Sequence, residues 1–332
     1  MGVRMTLMIA PMPVRISGLE SKKLMDILVT GGTGFVGRAL CRALSGNGHS
    51  VTVLTRHAEA TSRQSGTDIT AVECNSRDGG SWEKSLEGVD AIINLAGEPI
   101  AAGRWTEERK RLIVDSRVNA TSLLAQAISR GTSKPRVFIS ASGVGYYGTS
   151  SDRLFDERDG PGSDFFADLC RSWEAAATAV QSSNTRVVCL RIGMVLERDG
   201  GALAKMVPPF NAFVGGPISP GSQWVSWIHR ADLIGLIEWA LTQERIIGPV
   251  NAVAPGAVTM SEFSRELGKA LHRPSWLPVP EIALRLAFGE LASFMTTGQQ
   301  VVPQVALDGG YQFRYPRLDA AFRSIFAGVV AR

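Results

Sequence analysis

Cysteine and histidine are scarce in these 332 residues, four of each, and neither is arranged to hold a metal. Cys41, Cys74, Cys170 and Cys189 form no C-x-x-C pair and have no histidine at zinc spacing; His49, His57, His229 and His272 are scattered. A metal centre and a disulfide framework therefore have no support in the sequence. The thiols are expected to be small buried residues of a protein in the reducing cytoplasm. No apolar run approaches the about 20 residues that span a bilayer, so no membrane association is expected. An excess of one charge sign is also missing. Arg4, Arg15, Lys22 and Lys23 against Glu20 give residues 1–24 three of the net +4, which leaves the body near neutral and argues against nucleic acid as a partner.

The first 24 residues also lack periodicity. Met5–Ala10 is apolar but short and is broken by Pro11 and Pro13, a poor match to a secretory segment. Met25 stands directly before the first apolar run. Residues 1–24 are expected to be a disordered extension or the product of a start assigned too far upstream.

What is present is organised around Thr30-Gly31-Gly32-Thr33-Gly34-Phe35-Val36-Gly37. Ile27-Leu28-Val29 before it reads as a buried strand, and Arg38–Leu44 after it has helical spacing. Strand, glycine turn and helix together are the context a dinucleotide fingerprint requires. The early glycines allow the tight turn, Gly34 lets backbone approach a pyrophosphate, and Gly37 lets helix and strand pack closely. The helix N-terminus offers free N–H groups to phosphate.

Further βα units follow. Strands are expected at Ser50–Thr55, Thr70–Cys74, Val89–Ala96, Arg136–Ser140 and Arg186–Arg191, with helices over Thr106–Ser129 and Asp164–Val180. Apolar strands alternating with helices predict an α/β fold with a doubly wound parallel sheet, a Rossmann domain over 25–200 completed by later segments. Residues 201–332 break that pattern with Pro208-Pro209, Gly215-Gly216-Pro217 and Ser219-Pro220-Gly221 and read as a smaller substrate-binding part. There a strand is expected at Trp224–His229 and helices from about Arg230, over Ser261–Leu271 and over Glu281–Ala292. Trp224, Trp227, Trp239 and Trp276 either build its core or line a cleft.

Ligands of such sheets lie beyond the carboxyl ends of the strands. An NAD site carries an acid about 20 residues past the fingerprint, for the ribose 2′-hydroxyl. Here the second strand ends Leu54-Thr55-Arg56-His57, without an acid. The Arg56 guanidinium suits a 2′-phosphate, so NADP(H) is the expected cofactor.

The fourth and fifth strand ends read Asn94-Leu95-Ala96-Gly97-Glu98-Pro99 and Ser140-Ala141-Ser142-Gly143-Val144-Gly145-Tyr146-Tyr147-Gly148. With these in place the chain resembles an extended short-chain dehydrogenase/reductase, of the atypical branch labelled sugar-nucleotide epimerase-like or cell-division-inhibitor-like. TGGTGFVG, LTR, NLAGEPI, RWTEERK, DSR, SASGVGYYG, LRIGMVL, GGALAKM, GGP, WVSWIH and NAVAP carry the resemblance in order from Met25 to Pro255. LPVP, GQQVVPQ and YQFRYP extend it towards Pro316. The resemblance implies an NADP-dependent oxidoreductase or epimerase of a small molecule, with a nucleotide sugar as the candidate substrate; the alternative is a cofactor-binding regulatory or sensor protein with little catalysis. It implies catalytic roles for Ser142, Tyr146 and Tyr147. It implies cofactor contacts from Gly31, Thr33, Gly34, Phe35, Val36, Gly37, Arg56, Asn75, Leu95, Ala96, Gly97, Asn119, Ser140 and Arg191, with His229 either on the cofactor side or in the core. Monomer and homodimer remain open.

One departure matters for chemistry. Aligned through Glu174, Phe166 stands where the family has the Tyr of its Tyr-x-x-x-Lys pair, and Cys170 stands where it has the Lys. The usual phenol, with a pKa lowered by the ammonium, is absent. Any proton transfer is expected to use other groups.

Overall fold

The computed structural model of the protein describes residues 24–65, 69–74, 80–180 and 184–327. Asn75 and the stretch 1–23 lie outside the described residues, and so do the expectations attached to them.

The sheet begins with β1 (Asp26–Thr30), β2 (Ser50–Thr55), β3 (Ile69–Glu73), β4 (Ala91–Asn94) and β5 (Val137–Gly143). Strands Arg186–Ile192 and Gly248–Ala252 complete it. All seven run parallel, in the spatial order β3-β2-β1-β4-β5 followed by these two. The last strand comes from beyond residue 200. The strand order reverses between β1 and β4, which opens a crevice at their carboxyl ends.

The continuous apolar runs have a direct cause: both faces of the sheet are covered. Side chains alternate along a strand. Ile27, Val29, Ile93 and Ile139 therefore pack on one side with Leu40, Leu44 and Leu236, while Leu28, Ile92 and Phe138 pack on the other with Leu124, Ile128 and Ala177. Helix α1 (Gly37–Gly46) covers the first face; α4 (Ala120–Arg130) and α5 (Phe165–Thr178) cover the second. Between them in the chain lie α2 (Ala58–Ser65) and α3 (Glu107–Val114).

The helix expected over Thr106–Ser129 is not continuous. Thr106 caps α3 by accepting from the Arg109 N–H, and a π-turn at Asp115–Asn119 separates α3 from α4. That turn carries Arg117 inward, where its guanidinium donates to the carbonyls of Ile113 and Glu98 and lies 5.3 Å from the Trp173 ring centroid. Periodicity alone does not reveal such a bulge, because the residues on either side stay in helical register.

The C-terminal part has its own core, with Phe210, Trp227, Phe263 and Phe322 fully or nearly fully buried. The expected strand Trp224–His229 is split at Ser226 into Trp224–Val225 and Trp227–His229. The Ser226 hydroxyl donates to Gln299 O and accepts from the Val301 N–H, while its carbonyl accepts from the Met194 N–H. Helix Met260–Leu271 opens with a capping box between Thr259 and Glu262. The expected helix over Glu281–Ala292 divides into Glu281–Phe288 and Leu291–Met295 at Gly289, whose φ is +64°.

Candidate functional site

At the β1–β4 crevice the glycine turn is set by space. Gly31 has φ +70°, and a Cβ there would lie 2.6 Å from the Leu95 carbonyl. A Cβ on Gly37 would lie 2.1 Å from Gly31 O, so only glycine lets α1 start against the turn. Gly34 closes the turn by donating its N–H to Gly31 O. No side chain caps α1 and no acid sits in its first turn, so nothing opposes an anion there.

A cleft of about 410 Å³ opens beside this turn. Gly31, Thr33 and Gly34 form one wall, and Leu95, Ala96, Gly97, Glu98 and Pro99 after β4 form the other. Leu54, Cys74, Trp82 and Leu124 make its far end apolar, the chemistry that suits a flat base. Arg56 stands at the rim with its side chain 72% exposed, 3.7 Å from the Glu98 carboxylate; Arg109 approaches the same carboxylate at 3.6 Å. The cradle therefore fits a dinucleotide: a glycine turn, an uncapped helix start, an apolar slot and a rim guanidinium.

Asn94 is the organising residue that sequence reasoning passed over. Buried at the end of β4, it accepts from Thr30 Oγ1 at 2.6 Å and donates to Thr121 Oγ1 and Ser140 Oγ, joining β1, β4, β5 and α4 beneath the cleft. Ser140 thus supports Asn94 and does not reach the cleft. Asn119 does not reach it either. Its exposed side chain donates to Asp115, while its neighbours Ser116 and Ala120 form the lining. Phe35 and Val36 are likewise absent from the lining. Phe35 packs under the glycines at 200–201 and beside Arg230, and Val36 packs on the sheet core.

The end of β5 carries a second polar cluster. Ser142, 4% exposed, donates to Glu174 at 2.7 Å. Glu174 receives two bonds from Arg191, at 2.9 Å each, and Arg191 also donates to the Tyr147 hydroxyl. Tyr147 donates onward to Asn251. Burial, partly offset by Arg191, pushes the Tyr147 phenol up to about 12. Tyr147 and Arg191, each 3% exposed, are bonded within the protein and do not line the cleft. Tyr146 differs: it is half-buried, the Arg191 guanidinium stacks 3.4 Å from its ring centroid, and its hydroxyl takes no part in this network.

Phe166 and Cys170 sit one turn apart on α5. Phe166 belongs to an aromatic cluster with Trp105, Phe165 and Phe294. Burial and the nearby Glu174 push the Cys170 thiol up to about 11, so it holds its proton at neutral pH. His229 lies in the core, where its Nδ1 accepts from the Ala231 N–H and its ring stacks on Tyr315; burial lowers its pKa. The tryptophans take both expected roles: Trp227 is core, whereas Trp224 lines a second cavity. Glu98 and Pro99 line the cleft and Ala101 lines the second cavity, so the loop after β4 borders both. All four thiols are free, and three are buried. Among the described residues no group of metal-ligating side chains occurs, and no helix is long and apolar enough to cross a membrane.

Comparison with known proteins agrees with this geometry. Residues 27–252 match the NAD dependent epimerase/dehydratase family, and residues 279–325 match a domain of unknown function, DUF1731. The chain is 41% identical over 309 residues to the Mus musculus epimerase family protein SDR39U1, covering 91% of this chain and all of that one. It is 41% identical to a chloroplastic homologue from Arabidopsis thaliana, with 92% and 88% of the two chains covered. The human SDR39U1 crystal structure with NADPH superposes with a TM-score of 0.82 at 36% identity, over 92% of this chain and 100% of that one. A Bacillus cereus UDP-glucuronic acid 4-epimerase shares the fold at 17% identity and a TM-score of 0.73. With the match running from β1 through the last strand of the sheet, the chain belongs to the NAD dependent epimerase/dehydratase family, as an atypical extended short-chain dehydrogenase/reductase.

Proposed function

We propose that this protein binds NADPH in the crevice between β1 and β4 and acts as an oxidoreductase on a small molecule held in the adjoining cavity. The observation that carries the reading is Arg56 at the cleft rim, at the end of a β2 that supplies no acid. The human relative's crystal structure with NADPH supports the same cofactor. Gly31, Thr33 and Gly34 hold the pyrophosphate, Leu54 and Trp82 flank the adenine, and Arg56 takes the 2′-phosphate.

Bound NADPH supplies a hydride. The chain's own residues orient the substrate and manage the proton. Tyr146 is the proton donor in this reading, because its hydroxyl is outside the Arg191 network and its ring is fixed by the guanidinium. Ser142, Glu174 and Arg191 position that ring. A phenol hydroxyl can give its proton to the substrate oxygen as hydride arrives at carbon, which is the direction of reduction. The division at about residue 200 follows the same logic, with cofactor on one side and substrate on the other.

A second reading, a cofactor sensor with little catalysis, is favoured by one observation: apolar Phe166 and an un-ionised Cys170 replace the family's proton relay. NADPH titration followed by a search for substrate-dependent NADPH oxidation tests both. Absence of NADPH binding sinks both readings; binding without oxidation by any carbonyl compound leaves only the sensor.

A further inference from the structure

The second cavity measures about 520 Å³, a size that encloses a small organic ligand. Its lining is unlike what a phosphorylated sugar needs. Met194, Met206, Phe210, Met260, Phe288 and Phe294 supply much of the wall. The thioethers are adaptable and the rings are rigid, a pairing suited to apolar ligands.

The polar groups on the lining are mostly turned to the protein. Gln223 accepts from the Gly221 N–H and donates to the carbonyls of Ile218 and Met295. The Ser226 hydroxyl is bonded to Gln299 O and Val301 N. Trp224 Nε1 donates to Ser151 O, and Thr297 Oγ1 donates to Ser293 O. Among the described residues one charged side chain lines the cavity, that of Lys205. It is exposed, and its Nζ donates to the Ala101 carbonyl at 2.6 Å, on the loop that borders both cavity and cleft.

We infer that the cavity takes an apolar small molecule carrying a single carboxylate, with the hydrocarbon inside and the carboxylate at Lys205. A nucleoside diphosphate sugar brings two phosphate charges and many hydroxyls, which this wall would leave without partners. The ligand class stands on the lining alone. That the ligand is the substrate of hydride transfer rests on the oxidoreductase reading above.

Isothermal titration of the full chain with decanoate, decanol and UDP-glucose tests the ligand class, with NADPH affinity as the control for folding. Decanoate is expected to bind. Lys205→Gln should weaken it about tenfold without weakening decanol, and Met206→Trp, which fills the cavity, should weaken both. UDP-glucose binding more tightly than decanoate overturns the inference. So does decanoate binding that is indifferent to both substitutions. The oxidoreductase reading is tested separately with 9-oxodecanoate, whose ketone would take hydride at carbon and a proton at oxygen to give the alcohol and NADP⁺. Tight decanoate binding without oxidation of NADPH by the keto acid removes the oxidoreductase reading and leaves the ligand class standing.

Discussion

Arg56→Ala separates a cofactor contact from a solvated surface charge. The Arg56 side chain is 72% exposed and its pairing with Glu98 is long, at 3.7 Å. An exposed pair of that kind contributes at most about 1 kcal/mol, and Arg109 remains to neutralise Glu98 when Arg56 is gone. The substitution should therefore leave the melting temperature of the free protein nearly unchanged. Its effect on NADPH is different, because a guanidinium bonded to a 2′-phosphate is charge-assisted and roughly worth 1.5–3 kcal/mol. The native protein is expected to prefer NADPH to NADH by at least about tenfold, equivalent to ~1.4 kcal/mol. Arg56→Ala should abolish most of that preference by weakening NADPH while leaving NADH in place. Fluorescence titration of both cofactors into both proteins, at low and high salt, measures it. The native preference should shrink as salt screens the rim charges. Equal native affinities, or a preference that survives Arg56→Ala, would refute the assignment of the 2′-phosphate to this residue.

Glu98→Gln, which removes the carboxylate competing for Arg56, should tighten NADPH a few-fold in the same titration. Tyr146→Phe should lower NADPH oxidation by about 10²-fold or more, as loss of a proton donor does, with cofactor affinity unchanged; unchanged turnover would place the chemistry elsewhere. Arg191→Ala leaves Glu174 buried without its partner and should cost about 3–5 kcal/mol in urea denaturation, far more than Arg56→Ala. Glu157 is buried, accepts the N–H groups of Asn251 and Val305, and has its pKa raised above the usual 4.5, chiefly by burial. The folded state then holds a proton the unfolded state has released, so stability falls as pH rises from about 4.5 through the folded pKa. Glu157→Gln should remove that decline and raise the melting temperature more at pH 8 than at pH 5; the reverse order would show that the carboxylate is stabilised in the fold.

How far the sequence discloses this molecule depends on how local each feature is. The strands are legible because burial on both faces leaves Ile27-Leu28-Val29 uniformly apolar, and the glycine turn because Gly31 and Gly37 answer contacts within a few residues of themselves or with the adjacent strand end. Arg56 is legible because its neighbours in the chain set its place at the end of β2. Features made from distant segments are not. Ser142 acquires its partner from Glu174, Tyr147 from Asn251, and both are tied through Arg191, so the surroundings of each are set by residues far away in the chain. Asn94 was visible as a polar residue ending a strand, yet its three hydroxyl partners lie at Thr30, Thr121 and Ser140, and no spacing rule relates them. The apolar cavity is the extreme case. Its wall gathers residues from Ala101 to Gln299, each with an unremarkable local pattern of its own. Loss of the proton relay and gain of an apolar wall then belong together physically. Phe166 and Phe294 are in edge-to-face contact at 4.6 Å, so the residue expected at the place of the family's tyrosine also buttresses a ring that lines the cavity. A phenol restored at 166 would bring a hydroxyl needing a partner into that aromatic packing. On the reading proposed here, the aromatic packing that leaves no phenol at 166 is also the packing that favours an apolar ligand.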